Sequence, residues 1–158
     1  MKKLLLCLAL ATMCLGANAQ KKWAYQADYD EGTAIVKDKD GKWGFIDEKG
    51  KVLGQMWRNV GYFQEGLARV MNEDEKWGFV DKTGTLVIPC QYVQTYFFSE
   101  GLVYVTTDYS HYGYIDKTGK LVIPMIFKEA KSFNGGKAKV TTEDGEEVYI
   151  DKTGKIIK

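Results

Sequence analysis

His111 is the only histidine in the 158 residues, and Ser110 stands directly before it. A serine nucleophile needs a base that can reach its hydroxyl, and adjacent residues of a strand or turn point apart. One histidine also rules out a multi-histidine zinc centre. Asp38-Lys39-Asp40-Gly41 looks like a fragment of a calcium loop. The full loop would need an oxygen ligand two residues earlier, where Val36 stands, and a glutamate further on, so a hairpin turn is the expectation. Asp47, Asp81, Asp116 and Asp151 recur at a regular interval and read as turn formers rather than halves of an acid–base pair. The chain has no glycine-rich phosphate cradle and no Gly-x-Ser-x-Gly elbow. No catalytic residue, metal site or cofactor is expected, and the chain reads as a non-enzyme.

Aromatic side chains are the richer source of chemistry. Most recur in register: Trp23, Trp57, Tyr92 and Phe127; Trp43, Trp77 and Tyr112; Phe45, Phe79, Tyr114 and Tyr149; Tyr29, Phe63, Phe98 and Phe133. These are expected to form a stacked core. Tyr96, Phe97, Tyr104 and Tyr109 break register. Packing by repetition does not require them. Tyrosines outside the core pair an apolar ring with a polar tip, which suits a protein partner or a sugar ring. Tyr96, Tyr104 and Tyr109 are therefore the candidate binding residues.

The elements that hold these side chains come from one repeated stretch. Trp77-Gly78-Phe79-Val80-Asp81-Lys82-Thr83-Gly84 recurs as 43–50 and 112–119, and in eroded form as 147–154. Its central aromatic falls at 45, 79, 114 and 149, a spacing of 34, 35 and 35 residues. A fixed period of this size marks a repeat architecture. Four units fill the chain, at about 23–54, 57–89, 92–124 and 127–158.

Each unit reads as three strands. Asp40-Gly41 and Asp144-Gly145 are two-residue hairpin signals. With Asp40-Gly41 as the turn, Val36 faces Phe45, Asp38 faces Trp43 and Ala34 faces Asp47. One face then carries Ala34, Val36, Trp43 and Phe45, and the other Ile35, Gly44 and Ile46. The recurring Asp-x-x-Gly predicts a type I turn with a G1 bulge. Leu86-Val87-Ile88-Pro89 and Leu121-Val122-Ile123-Pro124 form a third strand that ends at the proline. The connectors, such as Tyr92-x-x-Thr95-x-x-Phe98, suit a turn or a single 3₁₀ turn. The fold class is all-β: four three-stranded antiparallel meander units of about 35 residues in an open, solenoid-like array, with a closed propeller-like ring as the alternative.

Phe98-Ser99-Glu100-Gly101-Leu102, Trp77-Gly78-Phe79-Val80-Asp81-Lys82-Thr83-Gly84 and Leu86-Val87-Ile88-Pro89 with Tyr92 together resemble the WG-repeat proteins of bacteria. The resemblance spans all four units and implies a β-rich repeat, with no catalytic residues to transfer. Unit four departs from it, with Glu147-Val148 for Trp-Gly and Gly135-Gly136 for Glu-Gly. A terminal unit lacks one neighbour, so these changes read as a degenerate cap.

Residues 1–19 read as a signal peptide. Lys2 and Lys3 precede an apolar run from Leu4 to Leu15, and Ala17-Asn18-Ala19 supplies the small residues of a cleavage site. The run is too short to span a bilayer. Cys14 follows Met13 and Cys7 lies too early, so lipidation is not expected. Residues 20–158 then form a single repeat domain, periplasmic or secreted, with no membrane span. Without Lys2 and Lys3, 20 basic residues stand against 21 acidic ones, a net charge of −1. That balance provides no electrostatic footprint for nucleic acid. Cys90 is left without a disulfide partner and reads as a small apolar residue. The expected function is an interaction or scaffolding module of the cell envelope that contacts another protein. The alternative is binding of cell-wall carbohydrate through the off-register aromatics.

Overall fold

The structure is a computed structural model that describes residues 22–157. The proposed leader and its cleavage site lie outside the described residues. Within them there is no helix, and the strands form four antiparallel sheets of four strands each. The first sheet holds β1 (Tyr25–Gln26), β2 (Thr33–Lys37), β3 (Trp43–Asp47) and β4 (Val52–Trp57). The second holds β5 (Asn59–Gln64), β6 (Leu67–Met71), β7 (Trp77–Asp81) and β8 (Leu86–Tyr92). The third holds β9 (Gln94–Thr95), β10 (Leu102–Thr106), β11 (Tyr112–Asp116) and β12 (Leu121–Phe127). The fourth holds β13 (Glu129–Ala130), β14 (Lys137–Thr141), β15 (Glu147–Asp151) and β16 (Ile156–Ile157). In each sheet the strands pair in chain order.

The all-β expectation holds, but three-stranded units do not. The connector expected as a turn pairs as a fourth strand, Thr95 opposite Val105 and Ala130 opposite Val140. The reason is backbone satisfaction: a buried connector must place its N–H and C=O groups, and the exposed edge of β10 or β14 supplies partners.

The first hairpin also differs in register. Ile35 faces Phe45, Val36 faces Gly44 and Ala34 faces Ile46. Asp38 N–H donates to the Lys42 carbonyl and Gly41 N–H to the Asp38 carbonyl, with Gly41 at φ +87°. This is the same type I turn with a G1 bulge that closes the second hairpin at Asp81-Gly84. A one-residue slip exchanges the faces. Ala34, Val36 and Ile46 share one side, and Ile35 and Phe45 take the other. The two-residue hairpin lies elsewhere, at the Glu-Gly pairs. Glu65 at φ +52° and Gly66 at φ +87°, like Glu100 and Gly101, have the positive φ values of a type I′ turn.

β8 and β12 run through their prolines rather than ending there. Trp77 pairs with Tyr92 and Phe79 with Ile88, so four residues of β8 span two of β7. The surplus bulges over Gly78, where a Cβ would lie 2.4 Å from the Ile88 carbonyl oxygen. Gly113 is covered the same way, at 2.5 Å from Ile123 oxygen. The glycine at positions 78 and 113 is thus demanded by a close backbone approach. Val148 replaces it in the fourth sheet, where the described part of the outer strand, Ile156–Ile157, has no such bulge.

Both faces of the inner sheets are buried. Ala68, Val70 and Val80 pack toward the first sheet with Phe45 and Trp57. Phe79 and Ile88 meet Phe98, Val103, Val105 and Ile115 of the third. Tyr114 and Ile123 meet Phe133, Ala138, Val140 and Ile150 of the fourth. Among the described residues no strand pairing and no apolar cluster joins the fourth sheet back to the first, so the array is not closed. Two expected core positions are not core. Tyr149 is 45% exposed because no further sheet covers its face among the described residues, and Tyr29 lies outside the stack at 42%. Trp43, Trp77 and Tyr112 are half-buried at the margin of each inter-sheet layer.

Candidate interaction site

The repeat aims the side chains of β6, β7, β10 and β11 alternately at the preceding and following sheets. Arg69 and Trp77 of the second sheet face the third. Tyr104 and Tyr112 hold the same positions one repeat later, set by Arg69 opposite Phe79 and Tyr104 opposite Tyr114. Tyr96 lies beside Tyr104 within the third sheet, with ring centroids 6.2 Å apart and planes within 8°. Phe97 meets Tyr96 edge-on at 4.7 Å, and Tyr112 meets Tyr104 edge-on at 6.1 Å. The result is a continuous aromatic strip across one margin of the third sheet.

Tyr96 is 46% exposed and Tyr104 is half-buried, and among the described residues neither hydroxyl has a hydrogen-bond partner. Burial, with Tyr96 close by, raises the Tyr104 hydroxyl above its ordinary range against the pull of Arg69. Tyr109 does not join the stack. It stands 64% exposed at φ +64° in the β10–β11 turn, and its hydroxyl donates to the Val93 carbonyl at 3.2 Å. Tyr112 donates to Gln94 Oε1 at 2.8 Å. The structure therefore brings Tyr96 and Tyr104 together and sets Tyr109 at the far end, beyond Tyr112.

Arg69 is the contributor that sequence reasoning missed. Its guanidinium carbon lies 4.6 Å from the Trp77 ring centroid, 4.9 Å from Phe97 and 5.5 Å from Tyr96. Nη1 donates to the Thr95 carbonyl at 2.9 Å, while Nε is buried without a partner. Burial lowers the Arg69 pKa from its ordinary value, yet a guanidinium stays charged. One signal was available: an arginine stands where the sister units carry Ile35, Tyr104 and Lys139. A cavity of about 220 Å³ adjoins the strip, lined by Gln94, Tyr104, Tyr112, Glu129, Ala130 and Lys131.

The other candidate groups lie apart. His111 Nε2 is 3.1 Å from Glu143 on the fourth sheet, and the backbone N–H groups of Ser110 and His111 both donate to Asp108. Cys90 is half-buried, 3.7 Å from the Val70 carbonyl, and burial raises its thiol. Among the described residues no group of His, Cys, Asp or Glu is placed to hold a metal ion, and no helix is long and apolar enough to cross a membrane. Asp81, Asp116 and Asp151 act in their turns, each accepting the threonine hydroxyl and two backbone N–H groups.

Fold and site together define a stacked array of antiparallel four-stranded sheets, each carrying an aromatic–glycine pair or its eroded remnant on the third strand. The WG containing repeat profile matches residues 43–77, 77–109 and 112–145. The chain belongs to that family. No curated protein compared with it matches. Among solved structures it is similar to the computationally designed Ika4 protein, at 14% identity over 78% of this chain and 87% of that one, TM-score 0.49. It is also similar to BamB from Moraxella catarrhalis, at 13% identity over 82% and 46%, TM-score 0.46. A third is the WD40 beta propeller domain of Doa1, at 13% identity over 82% and 52%, TM-score 0.44. The chain thus spans about half the length of the last two.

Proposed function

We propose that this protein is an exported, non-catalytic interaction module of the cell envelope that binds a protein partner through the strip of Tyr96, Tyr104 and Tyr112, flanked by Tyr109. The observation that carries the reading is the pair of tyrosine hydroxyls, on Tyr96 and Tyr104, that find no partner within the described residues. A hydroxyl at an exposed aromatic surface retains its donor for a ligand, and interfaces are enriched in tyrosine for that reason. A protein partner is favoured over a sugar by the state of the rings. Tyr96 has Tyr104 stacked beside it and the Arg69 guanidinium 5.5 Å from its centroid, so it offers edge and hydroxyl outward rather than a free face.

The array itself is best described as solenoid-like, a short run of stacked units rather than a ring. Glu147 pairs with Lys139 at 2.8 Å on the outer face of the fourth sheet, where Trp77 and Arg69 stand in the second. That polar pair suits a face turned to water.

The test combines Tyr96→Ser with Tyr104→Ser and compares retention of envelope proteins and of purified cell-wall polysaccharide on immobilised protein. Loss of protein retention with melting unchanged supports the reading. Undiminished protein retention, or loss confined to polysaccharide, overturns it. Export is tested separately, by N-terminal sequencing of the protein recovered outside the cytoplasm. A start at Gln20 is expected.

A further inference from the structure

We propose that the cavity between the first and second sheets binds the guanidinium group of a partner's arginine. The chain shows the chemistry one repeat later, where Arg69 is held by Trp77, Phe97, Tyr96 and the Thr95 carbonyl. The strand ladders place the same frame one interface earlier. Ile35 faces Phe45 as Arg69 faces Phe79. Val60 faces Val70 as Thr95 faces Val105, so the Val60 carbonyl stands where the Thr95 carbonyl does. Trp43 takes the place of Trp77, and Tyr62 that of Phe97.

One exchange opens this frame: Ile35 replaces the arginine. Gly61 replaces Tyr96, but the place of its side chain is taken from the other face by Arg69 and Phe97, with Arg69 Cγ 2.8 Å from where a Cβ would stand. What results is a cavity of about 170 Å³ whose walls include Tyr25, Trp43, Val60 and Tyr62. At roughly 30 Å³ per water this is room for about six waters, or for the end of one long side chain. Tyr25 meets Trp43 edge-on at 5.7 Å and adds an aromatic wall that the later interface lacks. Tyr62 is 62% exposed, so the cavity is reachable from solvent.

Charge agrees with a cationic occupant. Lys37 already sets its ammonium 4.9 Å over the Trp43 ring, which shows that this indole accepts a cation. Lys37 lies outside the cavity wall, as does Arg69, which packs on Gly61 from the other face of the second sheet, and negative charge is supplied by Asp28 and Asp30. Both line an adjoining cavity of about 90 Å³ that shares Ala27, Ile35 and Tyr62 with the first. Among the described residues neither carboxylate has an ion-pair partner. A guanidinium fits better than an ammonium because it is flat, stacks on rings and still donates in its plane to a carbonyl.

The experiment titrates the protein with acetyl-Gly-Arg-Gly-amide, and with the same peptide carrying neutral citrulline, while following the Trp43 indole N–H and the Tyr25 and Tyr62 ring signals by NMR. Saturable shifts at these three residues are expected, with citrulline weaker by about tenfold, the scale of one desolvated cation–π contact. Ile35→Arg should abolish the shifts by filling the cavity from within the chain. Tyr62→Ser, at an exposed position that tolerates change, should weaken binding even if Ile35→Arg does not fold. Unmoved Trp43 and Tyr62 signals, equal binding of citrulline, full binding by folded Ile35→Arg, or shifts at Tyr96 and Tyr104 instead would each overturn the proposal. The last outcome would leave the strip on the third sheet intact as a reading, so the two sites fail independently.

Discussion

The carboxylate of Glu65 accepts the backbone N–H of Glu100 at 2.6 Å, 35 residues further along the chain, and that of Gly101 at 3.0 Å. Glu100 repeats the contact to Gly136 N–H at 3.0 Å. A lysine from the next sheet's Asp-Lys-Thr-Gly turn joins each time: Lys117 to Glu65, Lys152 to Glu100, and Lys82 to Glu31. Each glutamate sits at positive φ, a conformation costly for any side chain but glycine, and the clasp to the following sheet offsets that cost. The exceptions fall in the first and fourth sheets, each of which has one neighbouring sheet among the described residues. Gly135 replaces glutamate in the fourth sheet, and Glu48 replaces the lysine in the first.

The clasp makes glutamate replacement informative. Glu65→Ala loses three partners and keeps the left-handed backbone, and is expected to cost about 1 to 2 kcal/mol, the scale of a lost helix cap. Glu65→Gly loses the same partners but relieves the backbone, so it should be the milder change. Urea melts of the two variants give the order: alanine at or above glycine in stability would contradict the backbone strain, and a Glu65→Ala melt equal to that of the unaltered protein would contradict the clasp.

Acid should loosen the stack. At Glu65 partial burial pushes the carboxyl up, but Lys117 and the Gly101 and Glu100 N–H groups outweigh it and hold the pKa below the usual range. Lys82 lowers Glu31 and Lys152 lowers Glu100, each the largest influence there. Thr83, Thr118 and Thr153 hydroxyls lead in lowering Asp81, Asp116 and Asp151. A depressed carboxyl binds more protons when unfolded, so stability rises with pH across this window. The contribution is complete above the unfolded values near about 4 and is lost as pH falls through the depressed folded ones. Melting at pH 7, 4 and 3 should show the steepest loss in the lowest interval, with a smaller loss in Glu65→Gln.

The glycines after the aromatic separate by what covers them. Gly78→Ala and Gly113→Ala force a Cβ into backbone at 2.4 and 2.5 Å, and a loss of about 3 kcal/mol is expected, the upper end for overpacking. At Gly44 the nearest atom is Met56 Sδ at 2.6 Å, the end of a flexible side chain. Gly44→Ala should cost about 1 kcal/mol or less by the same scale. Equal losses would mean the bulge of β8 and β12 is not what the glycine serves.

Trp77 and Glu147 occupy the same position in their sheets. Trp77 is half-buried and covers the Arg69 guanidinium, so Trp77→Ala is expected to cost about 3 kcal/mol, the lower end for a large aromatic. Glu147→Ala removes one exposed ion pair with Lys139 and should stay within about 0.5 kcal/mol. Calorimetric melts of both variants check the contrast, which fails if the two lose similar stability.

Much of this was legible in local sequence. Spacing located the aromatics at 45, 79, 114 and 149, and the Asp-x-x-Gly turns form as their side-chain chemistry dictates, because a turn is decided within four or five residues. The divergence of the fourth unit was legible too, since Glu147 and Gly135 differ from their sisters in kind. The register of the first hairpin was not. Asp40-Gly41 suits both a two-residue turn and a G1 bulge, and what separates them is whether Ile35 or Val36 faces the next sheet.

Only the tertiary structure decided the rest, for one physical reason: the decisive partners belong to neighbouring sheets. Gln94–Thr95 becomes a strand because β10 has an edge to pair with, not because two residues have strand propensity. Glu65 tolerates a left-handed backbone because Glu100 and Gly101 offer N–H groups a repeat away. Arg69 can lie half-buried because Thr95, Tyr96 and Phe97 arrive from 26 to 28 residues later to surround it. The sequence by itself determined the period and the Asp-x-x-Gly turns. Stacking of one sheet on the next decided which tyrosines are buried and which stay in water.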